Sequence, residues 1–123
     1  MVLDDEPMFI QRFPRYVLRY TEKRTGQAPR VDACSCPLLF LKSDEQSFDF
    51  FIIDYELGQG KTGVGIIQEK NLNPSSVAIY TGNIDNITQA DRLFCKNNGI
   101  SIFEKPNNEE VTEHAICCIL GKK

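Results

Sequence analysis

One short stretch dominates the hydrophobic pattern of the chain. Phe50 to Ile53 is an unbroken run of aromatic and β-branched residues, and Asp54 follows it directly. Such a run is typical of a strand that is buried on both faces of a parallel sheet. Because an ionised carboxylate is costly to bury, we expect Asp54 to lie at the carboxyl end of this strand, where a glycine-rich loop begins.

Strand-like and helix-like patterns alternate along the rest of the chain. Apolar runs predict strands over 1–3, 31–35, 50–53, 77–80 and 100–103, and helical spacing predicts helices over about 7–24, 37–42, 64–73, 85–96 and 109–120. The polar residues 43–47 are expected to form a turn. This alternation predicts parallel strands joined by right-handed crossovers, in an α/β fold built as a three-layer (αβα) sandwich.

The first predicted helix has two distinct faces. Its apolar residues fall on one side at helical spacing, and a second side carries a basic stripe made of Arg12, Arg15, Arg19 and Lys23. A stripe of this kind is either a solvated face or a docking surface, and the pattern alone favours the solvated face. Pro14 lies within the helix and is expected to bend it or to mark a break.

Composition and charge describe an ordinary globular domain. The chain has 123 residues, of which 41% are hydrophobic and 25% are charged, and its formal net charge is -3. That balance gives no general attraction to nucleic acid or to anionic membranes. No apolar stretch approaches the roughly 20 residues that span a bilayer, and no signal peptide opens the chain, so we expect a cytoplasmic protein.

The five cysteines do not indicate a disulfide framework. Their number is odd, and a cytoplasmic chain with a full apolar core has little need of disulfides. His114 is the single histidine, and the cysteine spacings do not match those of zinc sites. Buried free thiols are therefore the favoured interpretation of Cys34, Cys36, Cys95, Cys117 and Cys118.

Residues that could bind or react with a ligand follow four of the five predicted strands. Asp4 and Asp5 follow the first strand, Asp54 the third, Thr81 the fourth and Lys105 the fifth. Because the carboxyl ends of parallel strands meet at one edge of a sheet, these side chains are predicted to converge on one crevice. Ligands of open α/β sheets bind in such a crevice.

The chemistry of this set points to phosphoryl transfer. Clustered carboxylates repel one another and need a cation, and oxygen ligands of this kind favour Mg2+. A carboxylate beside such an ion can act as a nucleophile towards phosphorus and form an aspartyl phosphate. Lys105 could neutralise the transferred group, and the Thr81 hydroxyl could bond to it and draw its loop inward.

Four segments resemble the response-regulator receiver domain of two-component and phosphorelay signal transduction: Leu3-Asp4-Asp5-Glu6-Pro7, Ile52-Ile53-Asp54, Tyr80-Thr81-Gly82 and Phe103-Glu104-Lys105-Pro106. The resemblance covers essentially the whole chain. It implies a flavodoxin-like fold with strand order 2-1-3-4-5 and a cis peptide bond before Pro106. It also implies phosphoryl transfer from a phosphohistidine on a sensor histidine kinase or a histidine phosphotransfer protein.

The resemblance implies roles for individual residues. Asp54 matches the phosphoacceptor, Thr81 the switch hydroxyl and Lys105 the phosphate-binding lysine. The first helix of such domains commonly faces the phosphodonor, so Arg15 and Arg19 are predicted to contribute to kinase docking. By the same correspondence, Mg2+ is bound by Asp5, Asp54, the backbone carbonyl of Glu56 and, through a water molecule, Asp4.

This chain departs from the receiver pattern at three places. The first strand is short before its acids, and Gly58 and the late position of Gly63 indicate a one-residue insertion in the loop after the third strand. The switch position three residues before the lysine, often Tyr or Phe, holds Ile102. Phe103 comes next but points to the opposite face of the strand, so it cannot substitute without a change of register.

Three functions are open on these residues. The leading one is a receiver domain spanning 1–123, alone or within a longer response regulator or hybrid kinase, that assists only its own phosphorylation and dephosphorylation. The first alternative is a receiver-fold interaction module that works without phosphate. The second is a small aspartate-nucleophile phosphatase, although Glu56 stands where such enzymes have a second aspartate. A homodimer through the fourth helix, fifth strand and fifth helix is expected from the resemblance alone.

Overall fold

Within residues 1–42 and 48–121, which the computed structural model describes, five short strands alternate with five helices, as predicted. The turn predicted over 43–47 lies outside the described residues. The strands are β1 Val2–Leu3, β2 Ala33–Cys34, β3 Phe51–Ile53, β4 Val77–Thr81 and β5 Ser101–Glu104. The helices are α1 Pro7–Thr25, α2 Pro37–Leu41, α3 Gly63–Lys70, α4 Gln89–Asn98 and α5 Asn108–Gly121, with 3-10 turns at Pro74–Ser76 and Ile84–Asn86.

The strands form one parallel sheet in the order β2-β1-β3-β4-β5. The resemblance implied this order, and the structure confirms it, together with the cis peptide bond before Pro106. The register pairs Leu3 with Cys34 on one side and with Ile53 on the other. Because all strands run the same way, their carboxyl ends reach one edge, and the polar residues that follow them share that edge.

The sheet lies between two apolar cores. On one side, α1 and α5 contribute Phe13 and Val111. On the other side, α2, α3 and α4 contribute Phe40, Val64 and Cys95. Consecutive residues of the central strands alternate between the two cores, because side chains along a strand point to opposite faces. The three-layer αβα sandwich is therefore confirmed.

The predicted bounds of the fourth helix, 85–96, are wrong at both ends. A 3-10 turn occupies Ile84–Asn86, and α4 covers Gln89–Asn98. Ile87 and Thr88 lie between them in extended conformation, and the Thr88 hydroxyl accepts a hydrogen bond from the Asp91 N–H at 3.1 Å. This side-chain cap sets the start of the helix, and an apolar spacing pattern does not reveal it.

Helix α1 continues through Pro14, so the chain does not break there. Proline removes one backbone hydrogen bond from the helix. The neighbouring Phe13 is 2% exposed and packs in the core, and this burial offsets the lost bond. None of the helices in the described ranges, α1 included, combines the length and apolarity needed to cross a membrane.

The cysteines are free thiols, but most of them are not buried. Cys95 alone is buried, Cys117 is exposed, and the other three are partly exposed. The prediction of buried thiols is therefore right for Cys95 and wrong for the rest. Helix spacing explains the wrong prediction for Cys117, because Cys117 and Cys118 are adjacent in α5 and cannot both face the core.

Candidate functional site

Three carboxylates meet at the carboxyl edge of the sheet. Asp4 and Asp5 follow β1, Asp54 follows β3, and one oxygen from each lies within 4.8 Å of the others. Asp4 is 1% exposed and Asp54 is partly buried, whereas Asp5 is exposed. Asp4 and Asp54 therefore form the buried part of the cluster, and Asp5 is its solvent-exposed member.

Hydrogen bonds of the sheet fix two of these acids side by side. The Asp54 N–H donates to the Leu3 carbonyl at 2.9 Å, and the Asp4 N–H donates to the Cys34 carbonyl at 3.2 Å. The apolar residues of β3 are buried, so the Asp54 side chain emerges where that run ends. The positions of both acids thus follow from the strand pairing.

Lys105 brings a positive charge to the same edge. Its backbone N–H donates to the Thr81 carbonyl at 2.8 Å, which extends the pairing of β4 with β5. Its Nζ lies 2.6 Å from Oδ2 of Asp4, 3.8 Å from Oδ2 of Asp54 and 3.9 Å from the centre of the Phe9 ring. The ammonium group is therefore held between two carboxylates and pairs more closely with Asp4.

Asp4 and Asp54 differ in how their oxygens are used. Oδ2 of Asp4 accepts from Lys105, and Oδ1 accepts from the Glu6 N–H at 2.9 Å. Oδ1 of Asp54 is buried and has no hydrogen-bond partner within the described ranges. A buried oxygen without a partner is costly, so this carboxyl would gain from a cation or a proton.

The Asp54 carboxyl holds its proton more tightly than an ordinary aspartate does. Its pKa is raised to about 6; burial is the largest cause of the rise, and the negative charge of Asp4 is the second. Lys105 and the Thr81 hydroxyl oppose it. At neutral pH the group is therefore ionised, but its charge is incompletely compensated by its neighbours.

The donor set fits a hard divalent cation. The three carboxylates offer oxygen ligands only, and one oxygen of Asp54 is uncommitted. Asp5 is open to solvent, so ligand exchange is not blocked. The backbone of Glu56, two residues after Asp54, forms an isolated bridge with Thr62. The structure groups the three acids as residues that could hold such an ion, and the Glu56 carbonyl stays a prediction from the resemblance.

Thr81 ends β4 at the same edge. It is buried, and its hydroxyl accepts a hydrogen bond from the Asn83 N–H at 3.5 Å. The register pairs Thr81 with Glu104, the residue before the lysine. The sheet therefore brings Thr81 and Lys105 to adjacent positions beside Asp54, and the hydrogen bond that the Thr81 hydroxyl accepts from Asn83 is long and weak.

Comparison with solved structures identifies the fold. A response-regulator receiver domain protein from Clostridium thermocellum matches 98% of this chain and 93% of its own length, at 22% identity and a TM-score of 0.71. The chain has the receiver fold. A CheY-like receiver domain protein from Methanospirillum hungatei matches 98% of this chain and 92% of its own, at 16% identity and a TM-score of 0.71.

A third structure with the receiver fold is that of a phosphorylated cyanobacterial phytochrome response regulator. It matches 99% of this chain and 94% of its own, at 14% identity and a TM-score of 0.62. No protein-family model matches the chain, and no curated protein matches it significantly. At these identities the likeness establishes the receiver fold, and the resemblance read from the four motifs is confirmed at that level.

Ile102 and Phe103 face opposite cores of the receiver fold, as strand alternation predicted. Ile102 packs on the side of α2, α3 and α4, and Phe103 packs on the side of α1 and α5. The Phe103 ring lies 5.2 Å from the His114 ring, measured between centroids. The face of β5 that looks towards α4 therefore carries an aliphatic residue at the switch position.

Arg15 and Arg19 lie apart from the carboxylate cluster. Both are exposed on α1, the helix whose first turn places Phe9 against Lys105. The basic stripe lines a shallow groove together with two tyrosines; its residues are Arg12, Arg15, Tyr16, Arg19, Tyr20 and Lys23. The predicted docking residues thus form a separate surface on a helix that starts at the site.

Two glycines shape the site in a way that the sequence did not reveal. A Cβ on Gly63 would lie 2.4 Å from the Asp54 carbonyl oxygen, and one on Gly58, whose φ is +72°, would lie 3.2 Å from Oδ2 of Asp5. Glycine at both positions lets the loop pass close to the acids. The glycine-rich loop is visible in the sequence, but the atoms that each glycine approaches depend on the tertiary fold.

Proposed function

We propose that this chain is a phosphorylation-dependent signalling receiver of a two-component or phosphorelay system. The observation that carries the proposal is the Asp54 carboxyl, which ends a buried strand with one uncommitted buried oxygen, beside Lys105 and two further acids. The receiver fold supports the proposal, and one protein with that fold is described as phosphorylated.

In this proposal Asp54 is the phosphoacceptor. One of its carboxylate oxygens forms a bond to phosphorus while the bond between phosphorus and a histidine nitrogen of the donor breaks. The electron pair of the broken bond stays on the histidine. Water later hydrolyses the aspartyl phosphate, which releases inorganic phosphate and restores the carboxylate.

The neighbours of Asp54 would hold Mg2+ and neutralise the transferred group. When bound, Mg2+ supplies positive charge that offsets the charge of the phosphoryl oxygens. Asp5, Asp54 and the Glu56 carbonyl would bind it directly. Asp4 suits contact through water, because Lys105 and a backbone N–H already engage its oxygens. Lys105, at 3.8 Å from Asp54, is near enough to pair with a phosphoryl oxygen.

Thr81 would sense the phosphoryl group. Its hydroxyl lies at the site edge beside Asp54, whose pKa it lowers, and it accepts a long hydrogen bond from the Asn83 N–H. A phosphoryl oxygen is a strong acceptor, so the hydroxyl would donate its proton to it, and the loop after β4 would follow. Phosphorylation would thereby reposition the β4–α4 connection.

The proposal also specifies partners and scope. The phosphodonor is a sensor histidine kinase or a histidine phosphotransfer protein, and the reaction takes place in the cytoplasm. The domain assists only its own phosphorylation and dephosphorylation and turns over no separate substrate. A second candidate function is a receiver-fold interaction module that works without phosphate. It is favoured by the switch position, where this chain has Ile102 in place of an aromatic residue.

The test is incubation of the protein with Mg2+ and acetyl phosphate, followed by intact-mass measurement, with Asp54→Asn as control. We expect the wild type to gain the mass of one phosphoryl group and the variant to gain none. Two-dimensional amide NMR with Mg2+ and beryllium fluoride should show shifts at Thr81 and Lys105. Absence of both the mass gain and the shifts in the wild type would contradict the proposal and favour the phosphate-independent module.

A further inference from the structure

The residue that follows Asp54 is tied to the start of α4. Tyr55 is 4% exposed, and its ring lies in the core on the α4 side of the sheet. Its hydroxyl donates to Oδ2 of Asp91 at 2.5 Å and accepts from the Thr88 N–H at 3.4 Å. A buried phenol needs hydrogen-bond partners, and both of these belong to the N-cap and first turn of one helix.

The next residue makes a second tie to the same region. Oε1 of Glu56 accepts from Nδ2 of Asn86 at 2.9 Å. Asn86 belongs to the 3-10 turn between β4 and α4. This exposed bond is weak by itself. Together with the Tyr55 bonds, however, it means that two successive residues after Asp54 contact the segment 84–92.

The segment that they hold is bonded within itself. The Thr88 hydroxyl caps α4 by accepting from the Asp91 N–H. From the helix, Arg92 reaches back to the preceding turn: its Nε donates to the Ile87 carbonyl at 3.2 Å, and its Nη2 donates to the Ile84 carbonyl. A displacement applied at Asp91 or Asn86 would therefore move residues 84–92 as a unit.

The main chain of Asp54 and Tyr55 is held as well, by contacts with the start of α3. The Tyr55 carbonyl accepts from the Gly63 N–H at 2.7 Å, and Gly63 packs against the Asp54 carbonyl oxygen. The main chain from 54 to 56 is thus tied to the start of α3, so a displacement at Asp54 would move residues 54–56 together. A change in the orientation of Asp54 would pass into the Tyr55 side chain.

We propose that Tyr55 and Glu56 are positioning residues that transmit a change at Asp54 to the start of α4. They supply a route that does not require an aromatic side chain on β5, where this chain has Ile102. This inference rests on the proposed function, since phosphorylation of Asp54 is the change that would be transmitted.

The test compares amide NMR shifts caused by Mg2+ and beryllium fluoride in the wild type and in Tyr55→Phe. The variant keeps the buried ring and removes only the hydroxyl. We expect its shifts at Thr81 and Lys105 to match the wild type, while its shifts at amides 89–94 fall to less than half. Tyr20→Phe is the matched control, because it removes a hydroxyl that bonds Glu113 on the far side of the sheet and should change neither set.

A conservative pair at the acceptor separates transmission from packing. Asp91→Asn keeps an oxygen that can accept from Tyr55 and should retain most of the α4 shift, whereas Asp91→Ala should lose it. Asn86→Ala removes the second tie at an exposed position and should reduce the shifts at 84–88. A purely structural role would displace the α4 signals in both states and leave the difference between the states unchanged.

The outcomes are distinct. Wild-type α4 shifts in Tyr55→Phe, with Asp54 still responding, would overturn this inference and leave the proposed function intact. If the wild type shows no mass gain with acetyl phosphate and no shifts at Thr81 and Lys105, then the proposed function fails and this inference fails with it.

Discussion

The neighbours of Asp54 shift the pKa of its carboxyl group in opposite directions. Burial and the nearby charge of Asp4 favour its protonated form, and Lys105 favours its ionised form but pairs more closely with Asp4. The result is a pKa of about 6, above the value of about 3.9 for an unstructured aspartate. The folded state therefore binds this proton more tightly than the unfolded state does, and ionisation of Asp54 lowers the free energy of unfolding.

We expect Asp54→Asn to be more stable than the wild type at pH 7.5 without Mg2+. The wild type should lose about 2 kcal/mol of unfolding free energy from this group as the pH rises from 4 through 6, and the variant should not. Urea denaturation at pH 4 and pH 7.5 measures the difference. Asp85→Asn removes an equal charge from an exposed position and should change stability by less than about 0.5 kcal/mol.

Addition of Mg2+ should make the wild type more stable than Asp54→Asn. An ion that binds the folded wild type at a concentration of a hundred times its Kd adds about 2.7 kcal/mol to the unfolding free energy. The variant lacks one carboxylate of the cluster and should gain less. Equal stability of the two proteins at pH 7.5 without Mg2+ would mean that the surroundings of Asp54 do not penalise its charge.

At the scale of elements, the start of α3 is packed against the end of β3. A Cβ on Gly63 would meet the Asp54 carbonyl oxygen at 2.4 Å and the Ile79 side chain at 3.0 Å. Main-chain atoms of a central strand cannot move aside cheaply. We expect Gly63→Ala to lower the unfolding free energy by about 1–3 kcal/mol, as overpacking does in other cores, and denaturant unfolding measures this.

Gly121→Ala is the control for that substitution. Gly121 lies in α5 and has open space where a Cβ would be. Alanine is the better helix former, so this variant should be unchanged or slightly more stable. If Gly63→Ala were as stable as the control, α3 would have to be able to shift away from β3 without loss.

The elements of the fold were largely predictable, while the contacts between them were not. Apolar runs locate all five strands, because β1, β3 and β4 are buried, and β2 and β5 each pack apolar side chains against a core. The start of α4 was missed because a single threonine cap sets it. The bond from Tyr55 to Asp91 joins residues 36 positions apart, and the approach of Gly63 to Asp54 depends on the angle at which α3 packs. Spacing along the chain contains no information on either distance.

The acid cluster was predictable for a different reason. Its members follow strands, and parallel strands end at a common edge whatever the details of packing. What the sequence could not give is how the charges are shared: Lys105 pairs more closely with Asp4 than with Asp54, and its ammonium also lies over the Phe9 ring. Those preferences come from side-chain conformations at the finished site.

At the scale of the whole molecule, the site and the basic stripe share one helix. Phe9 in the first turn of α1 contacts Lys105, and the exposed residues Arg15 and Arg19 lie further along the same helix. A donor that brings a phosphohistidine to Asp54 would extend over α1. The net charge of the chain is -3, so a local basic surface would select donors with an acidic face.

We expect the double variant Arg15→Glu, Arg19→Glu to slow phosphoryl transfer from a phosphohistidine donor. Reversing two charges on a docking face should reduce kcat/KM roughly tenfold at low ionic strength, and the effect should shrink as salt rises. Transfer rates from a radiolabelled phosphotransfer protein measure it.

Acetyl phosphate provides the control for docking. It is too small to span the distance from the site to the basic stripe, so it should label the double variant and the wild type at equal rates. A loss of labelling with both donors would point to damage at the site instead of lost docking. Equal rates with the protein donor would remove Arg15 and Arg19 from the interface.

The short strands at the two margins of the sheet have a consequence for how copies of this protein can meet. β2 offers only two residues, Ala33–Cys34, and β5 is followed at once by Lys105 and Pro106. An incoming chain would find few free main-chain groups with which to prolong the sheet. Growth by strand addition, the step that seeds fibres, is therefore poorly supported at these two margins of the sheet.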